Sequence, residues 1–86
     1  MPEISRFYGI VIYMFLNDHN PPHFHAQYGE FEILVNINNL SILKGTFPSR
    51  ALRLVIEWAS LHQEELKEAW ESLRNCQPPS KINPLD

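Results

Sequence analysis

His23-Phe24-His25-Ala26-Gln27-Tyr28-Gly29-Glu30-Phe31-Glu32-Ile33-Leu34-Val35-Asn36-Ile37-Asn38-Asn39-Leu40-Ser41-Ile42-Leu43 holds two short turn signals between runs of strand-forming residues. Gly29-Glu30 between Tyr28 and Phe31 is a Gly-first two-residue loop, the pattern of a II′ hairpin. Asn38-Asn39 between Ile37 and Leu40 suits a type I′ turn, which needs positive φ at both central residues. The first turn sets Gln27 opposite Glu32, His25 opposite Leu34 and His23 opposite Asn36. The second sets Asn36 opposite Ser41 and Leu34 opposite Leu43. Side chains alternate across a strand, so two faces separate. One is almost wholly apolar, with Phe24, Ala26, Tyr28, Phe31, Ile33, Val35, Ile37, Leu40 and Ile42. The other carries His23, His25, Gln27, Glu32, Leu34, Asn36, Ser41 and Leu43.

Upstream, Phe7 to Leu16 (FYGIVIYMFL) is aromatic and β-branched on both alternate sets, which predicts one strand covered on both faces. Asn17-Asp18-His19-Asn20-Pro21-Pro22 is a loop on turn chemistry. Downstream, Ser49 is a plausible N-cap for a helix reaching about Asn75. Leu52, Val55, Ile56, Ala59, Leu66, Ala69, Trp70 and Leu73 recur at helical spacing, and Leu54, Trp58 and Leu61 widen the stripe. Unbroken, that helix would be roughly 40 Å long, so it breaks or projects; Ser60 followed by Gln63 is a capping-box pattern that marks the expected break. Ile82 and Leu85 in the Pro-rich tail are placed to dock on the sheet. The expected architecture is α+β: a four-stranded antiparallel β-meander followed by one long or broken C-terminal α-helix packed on one sheet face. One domain is expected over 1–86, with a β half at 4–45, an α half at 49–75 and an extended tail at 76–86.

Composition narrows the function classes. The chain has 86 residues, seven Lys plus Arg against ten Asp plus Glu, and a formal charge of -3. One core of that size buries only about 60% of the unfolded chain's surface, so stability is modest without a partner. The acidic balance disfavours bulk electrostatic binding of nucleic acid, which depends on Lys and Arg displacing counterions. The single Cys76 excludes an internal disulfide framework and a four-cysteine zinc site, and it fits a cytoplasmic location. The Phe7–Leu16 run is too short to span a bilayer as a helix, and Glu3 upstream with Asn17-Asp18-His19 downstream does not read as a secretory signal. No membrane association is expected.

Chemistry concentrates in Asp18-His19-Asn20-Pro21-Pro22-His23-Phe24-His25, where three of the four histidines fall within seven residues. On a strand, His23 and His25 share a face with Cα atoms about 7 Å apart. Asp18 and His19 can fold over from the loop, Glu32 stands diagonally from His25, Asn36 lies opposite His23, and Arg6 can reach the same face. Three arrangements remain open. Neutral His19, His23 and His25 could hold a metal such as zinc with one position left for water. His23 and His25, with His19, could act as a metal-independent acid and base pair on RNA. Alternatively the histidines hydrogen-bond loop carbonyls and Asn36 and hold the proline loop in shape. Arg50 and Arg53 in the first helical turns, Trp58 and Trp70 at helical spacing and His62 read as surface, core and boundary residues respectively.

The segments MPEISRFYGIVIYMF, NDHNPPHFHAQYGEFE, RALRLVIEWASLHQEELKEAW and PPSKINPL together resemble the small bacterial family called domain of unknown function 4160, over nearly the whole chain. The resemblance implies no catalytic residues, because the family has no established activity. Its members are often encoded beside another small domain of unknown function, which has suggested a toxin and antitoxin pair. The family motif coincides with Asp18, His19, Pro21, Pro22, His23 and His25. Leu34, Leu43 and part of the first strand leave apolar surface on the polar face, and such patches mark partner surfaces. A protein-interaction module, as a homodimer or with a partner encoded nearby, therefore ranks first. A histidine-dependent ribonuclease acting on RNA ranks second and a three-histidine metal protein third; whether the chain is an enzyme stays open.

Overall fold

The computed structural model describes residues 3–86. It is α+β, with five strands and two helices: β1 (Glu3–Phe7), β2 (Ile10–Tyr13), β3 (His23–Tyr28), β4 (Phe31–Asn36), β5 (Ile42–Thr46), α1 (Ser49–Leu61) and α2 (Gln63–Arg74). The strands form one antiparallel meander in sequence order. The expected four strands become five because the Phe7–Leu16 run contains a hairpin turn: Phe7 ends β1, and only Ile10–Tyr13 form the next strand. Tyr8 and Gly9 take φ of 51° and 79°, the two positive values of a I′ turn, and Phe7 pairs with Ile10 across it. A tyrosine seldom adopts that conformation, which is why the turn does not stand out in the sequence. Phe7 thereby joins Ile10 and Ile12 on the inner face and packs on Trp58 at 5.3 Å between ring centroids.

The central hairpin matches its expected register residue for residue: Tyr28 faces Phe31, Gln27 faces Glu32, His25 faces Leu34 and His23 faces Asn36. Gly29 has a φ of 58°, as a Gly-first turn requires. The next turn differs from the I′ expectation. Leu40, and neither Asn38 nor Asn39, has positive φ; the Asn36 side-chain oxygen accepts from the amides of Asn38 and Asn39, and Asn39 accepts from Ser41. Val35 still pairs with Ile42, but a bulge at Leu43 sets Leu34 opposite Lys44 and not opposite Leu43. Past the bulge Gly45, at a φ of 93°, approaches the Glu32 carbonyl so closely that a Cβ there would lie 2.1 Å from the oxygen.

The helical segment is two helices, which corrects the single-helix expectation. Its full length would exceed the molecule's longest extent of 34 Å. The break falls at His62, within two residues of the expected point but for a different reason. The Ser60 hydroxyl donates back to the Glu57 carbonyl and caps nothing, whereas Gln63 donates to the carbonyls of Ile37 and Asn38 and ties α2 to the end of β4. Ala51, Val55, Trp58 and Ala59 of α1 and Leu66, Ala69, Trp70 and Leu73 of α2 are buried in one cluster with Ile12, Phe24, Ala26, Ile33, Val35 and Ile37. Trp58 is fully buried, and its indole N–H donates to the Asn83 carbonyl. The tail docks as expected: the Ile82 amide donates to the Ile4 carbonyl at 2.9 Å, covering the outer edge of β1. Ser49 begins α1 without a side-chain cap, and Leu61, expected in the stripe, is 66% exposed. Among the described residues no helix is long and apolar enough to cross a membrane.

Candidate functional site

The sheet face turned away from the apolar cluster carries the polar residues of the central strands. β3 contributes His23 and His25, which point to one side because they are two apart on a strand. Tyr13 of β2 sits directly across from His25, and Glu32 of β4 sits two pairs further along, opposite Gln27 and on the same face. The Phe15–Pro22 loop folds back over the histidines and brings Asp18 to them.

Three ligand-type atoms converge. Asp18 Oδ2 lies 3.0 Å from His25 Nε2 and 3.3 Å from His23 Nε2, and all three atoms lie within 4.8 Å of one another. His23 and His25 are only 7% and 8% exposed, unusual for histidine, and Asp18 is partly buried. The same Asp18 oxygen accepts the Phe15 amide at 3.4 Å, so the carboxylate also holds the loop. Aromatic rings enclose the pair. Tyr13 stacks on His25 at 4.9 Å with planes 13° apart, Phe15 meets His25 edge-on at 4.8 Å, and Trp70 of α2 approaches His23 at 5.4 Å.

The second nitrogen of each ring is placed differently. His23 Nδ1 lies 2.8 Å from the Pro21 carbonyl. A carbonyl only accepts, so that nitrogen carries the hydrogen and donates it. The neutral His23 ring then aims a bare Nε2 lone pair at a carboxylate oxygen. Two electron-rich atoms 3.3 Å apart in a half-buried setting repel unless positive charge lies between them, either a proton on Nε2 or a metal ion. Among the described residues His25 Nδ1 is buried and has no hydrogen-bond partner; Glu32 Oε2, to which the Tyr13 hydroxyl donates, is the facing carboxylate at 3.7 Å.

Of the residues expected at the site, the structure brings together His23, His25, Asp18 and, one step out, Glu32. His19 is exposed and is not in the ligand cluster, so Asp18 takes the third place that the three-histidine arrangement gave it. The reason is local: the loop turns the Asp18 carboxylate inward, where it accepts from Phe15, and leaves the next side chain outside. Asn36 is occupied with turn amides and does not bond a histidine. Arg6 points to Glu3, 2.8 Å away on the same strand. Sequence reasoning missed Tyr13 and Trp70 as neighbours of the histidines. The register of β2 against β3 would have located Tyr13, but the irregular connection over 14–22 that joins these strands encodes no register.

Chemically, two imidazoles and a carboxylate suit a borderline divalent metal. They suit metal-free acid and base work less well, since both Nε2 atoms face Asp18 and general catalysis needs a nitrogen within reach of substrate. A family model described as Domain of unknown function (DUF4160) matches residues 9–71, which include every residue of this cluster. No curated protein and no solved structure matches the chain.

Proposed function

The chain belongs to the DUF4160 family, a domain of unknown function, and on the geometry of the site we propose that it is a metal-binding protein holding a divalent transition metal on His23, His25 and Asp18. Zinc is the first ion to test. The carrying observation is the convergence of both Nε2 atoms on Asp18 Oδ2 with His23 Nδ1 already committed to the Pro21 carbonyl. Ligands about 2.0–2.1 Å from one ion, in tetrahedral or octahedral arrangement, lie roughly 2.9–3.4 Å from one another. The two separations from Asp18 Oδ2, 3.0 and 3.3 Å, fall in that interval, and the three ligand atoms lie within 4.8 Å of one another. The outward donation from His23 to a backbone carbonyl is the usual support of a metal-bound imidazole. Three protein ligands leave at least one position for water or an exogenous ligand.

The test is zinc titration of untagged protein by calorimetry, with Co(II) absorption as the check on ligand number. One equivalent is expected to bind, and His23→Ala and Asp18→Ala to remove binding. A wild-type chain that takes up neither ion sinks the proposal.

A second reading, a protein-interaction module, is supported by the asymmetry of the sheet edges. The tail covers β1, whereas all five residues of β5 are exposed, including Ile42 and Leu43 at 40% and 42%. Such a partner would be a second copy or a neighbouring gene product, the latter in keeping with the toxin and antitoxin suggestion. Light scattering after co-expression with the adjacent gene tests it; a monomer that captures nothing, unchanged by Leu43→Asp, would count against it.

A further inference from the structure

The two histidines are supported unequally, and the difference points to a residue outside the ligand set. His23 has its outer acceptor in place at 2.8 Å. His25 Nδ1 is buried and unpartnered, which is costly for a polar atom. The group facing it is Glu32 Oε2 at 3.7 Å, too far for a hydrogen bond and close enough to become one by a small side-chain rotation. Glu32 is free to make it, because its side chain is 48% exposed. Tyr13 limits where the carboxylate goes: its hydroxyl donates to the same Oε2 while its ring lies flat on the His25 imidazole.

We infer that Glu32, oriented by Tyr13, is the positioning residue for His25, and that metal binding and closure of the Glu32–His25 hydrogen bond occur together. This rests on the metal-binding reading. In the metal-free protein a neutral His25 has one N–H. On Nε2 it is donated to Asp18 at 3.0 Å, which leaves Nδ1 a lone pair beside a carboxylate. When a metal takes the Nε2 lone pair, the Nε2 proton passes to water and Nδ1 takes one from water, so the ring gains and loses none. The new Nδ1–H donates to Glu32. A carboxylate facing the outer nitrogen of a histidine whose inner nitrogen points into the ligand cluster is the arrangement of a carboxylate–histidine–metal relay. His23 needs no such change, because its proton already resides on Nδ1.

The experiment pairs zinc affinity with the His25 tautomer, read by long-range ¹H–¹⁵N correlation on wild type, Glu32→Ala, Glu32→Gln and Tyr13→Phe. Zinc-loaded wild type is expected to carry the His25 proton on Nδ1. Glu32→Ala should weaken zinc binding roughly 10–100-fold, the ordinary cost of losing an outer-shell partner. Glu32→Gln, which retains a carbonyl acceptor, should recover part of that loss, and Tyr13→Phe should show a smaller loss in the same direction. Wild-type zinc affinity in both Glu32 variants overturns the inference and leaves the metal site standing; a loaded His25 still protonated on Nε2 removes it from the ligand set and overturns both readings. Failure of the wild type to bind zinc overturns both.

Discussion

Strand β3 presents two chemistries on alternate residues. Phe24 and Ala26 face inward and are fully buried against Trp58 and its neighbours. His23 and His25 face outward and are nearly as buried, but under a loop and the rings of Tyr13, Phe15 and Trp70. The inner face is held by apolar contact summed over many residues, so it tolerates no single loss well and needs no ligand. The outer face gathers polar atoms whose lone pairs converge without enough hydrogens to join them. Burial is therefore a source of stability on one face and a condition for chemistry on the other.

The sharpest way to break that contrast is to truncate one residue on each face. Phe24→Ala should cost about 3–5 kcal/mol, the range for emptying a buried aromatic site, in urea unfolding without metal. His25→Ala should cost clearly less under the same conditions while abolishing zinc binding. If the two losses are equal, the outer cluster is simply more core. Adding zinc sharpens the contrast from the other side. At free zinc 100-fold above the dissociation constant, wild type should gain about 2.7 kcal/mol, because the ion binds only the folded chain. Asp18→Ala should gain none of it, and Phe24→Ala, where enough of it folds, should still gain.

The contrast was partly legible in the sequence. The Tyr28-Gly29-Glu30-Phe31 turn fixes which residues share a face, and alternation does the rest, so His23, His25 and Glu32 could be grouped without coordinates. That Asp18 and not His19 joins the two histidines was not legible, because neither has a periodic neighbour to orient it; a loop's direction depends on contacts such as Phe15 to Asp18 that no local pattern encodes. Tyr13 was missed because the long irregular connection from β2 to β3, unlike the Gly29-Glu30 turn, fixes no register that a local pattern shows. The helix break was located through a capping pattern although tertiary bonds from Gln63 to Ile37 and Asn38 accompany it.

A smaller effect should appear where the outer face meets the edge of the sheet. Gly45→Ala introduces a Cβ against the Glu32 carbonyl at a φ of 93° and should destabilise the fold by at least the roughly 1–3 kcal/mol of a strained φ, since the clash is with backbone. The same push displaces the strand that carries Glu32. Zinc affinity should therefore fall as well, whereas Gly29→Ala, at a turn with open space around it, should cost stability without reaching the metal. Equal zinc affinities in the two variants would mean that the position of Glu32 does not matter to the ion.

The smallest effect belongs to Arg6, a candidate for the site that the structure pairs elsewhere. Its guanidinium donates to Glu3, and this hydrogen bond, ahead of the charge attraction, holds the Glu3 carboxyl below the usual glutamate range and raises Arg6 above its own ordinary value. Lys81 of the tail lends Glu3 a weaker pull from 3.9 Å. A carboxyl depressed in the folded state favours folding above its unfolded value, and that contribution is lost as pH falls through the folded one. The pair is solvent-screened, so stability curves should barely register it. The titration of Glu3 should: in Arg6→Ala its midpoint, followed by carboxyl NMR, should move up toward the ordinary glutamate value while zinc affinity stays at the wild-type level. A drop in zinc affinity in this variant would return Arg6 to the site. An unmoved Glu3 midpoint would show that the 2.8 Å contact does not persist in solution.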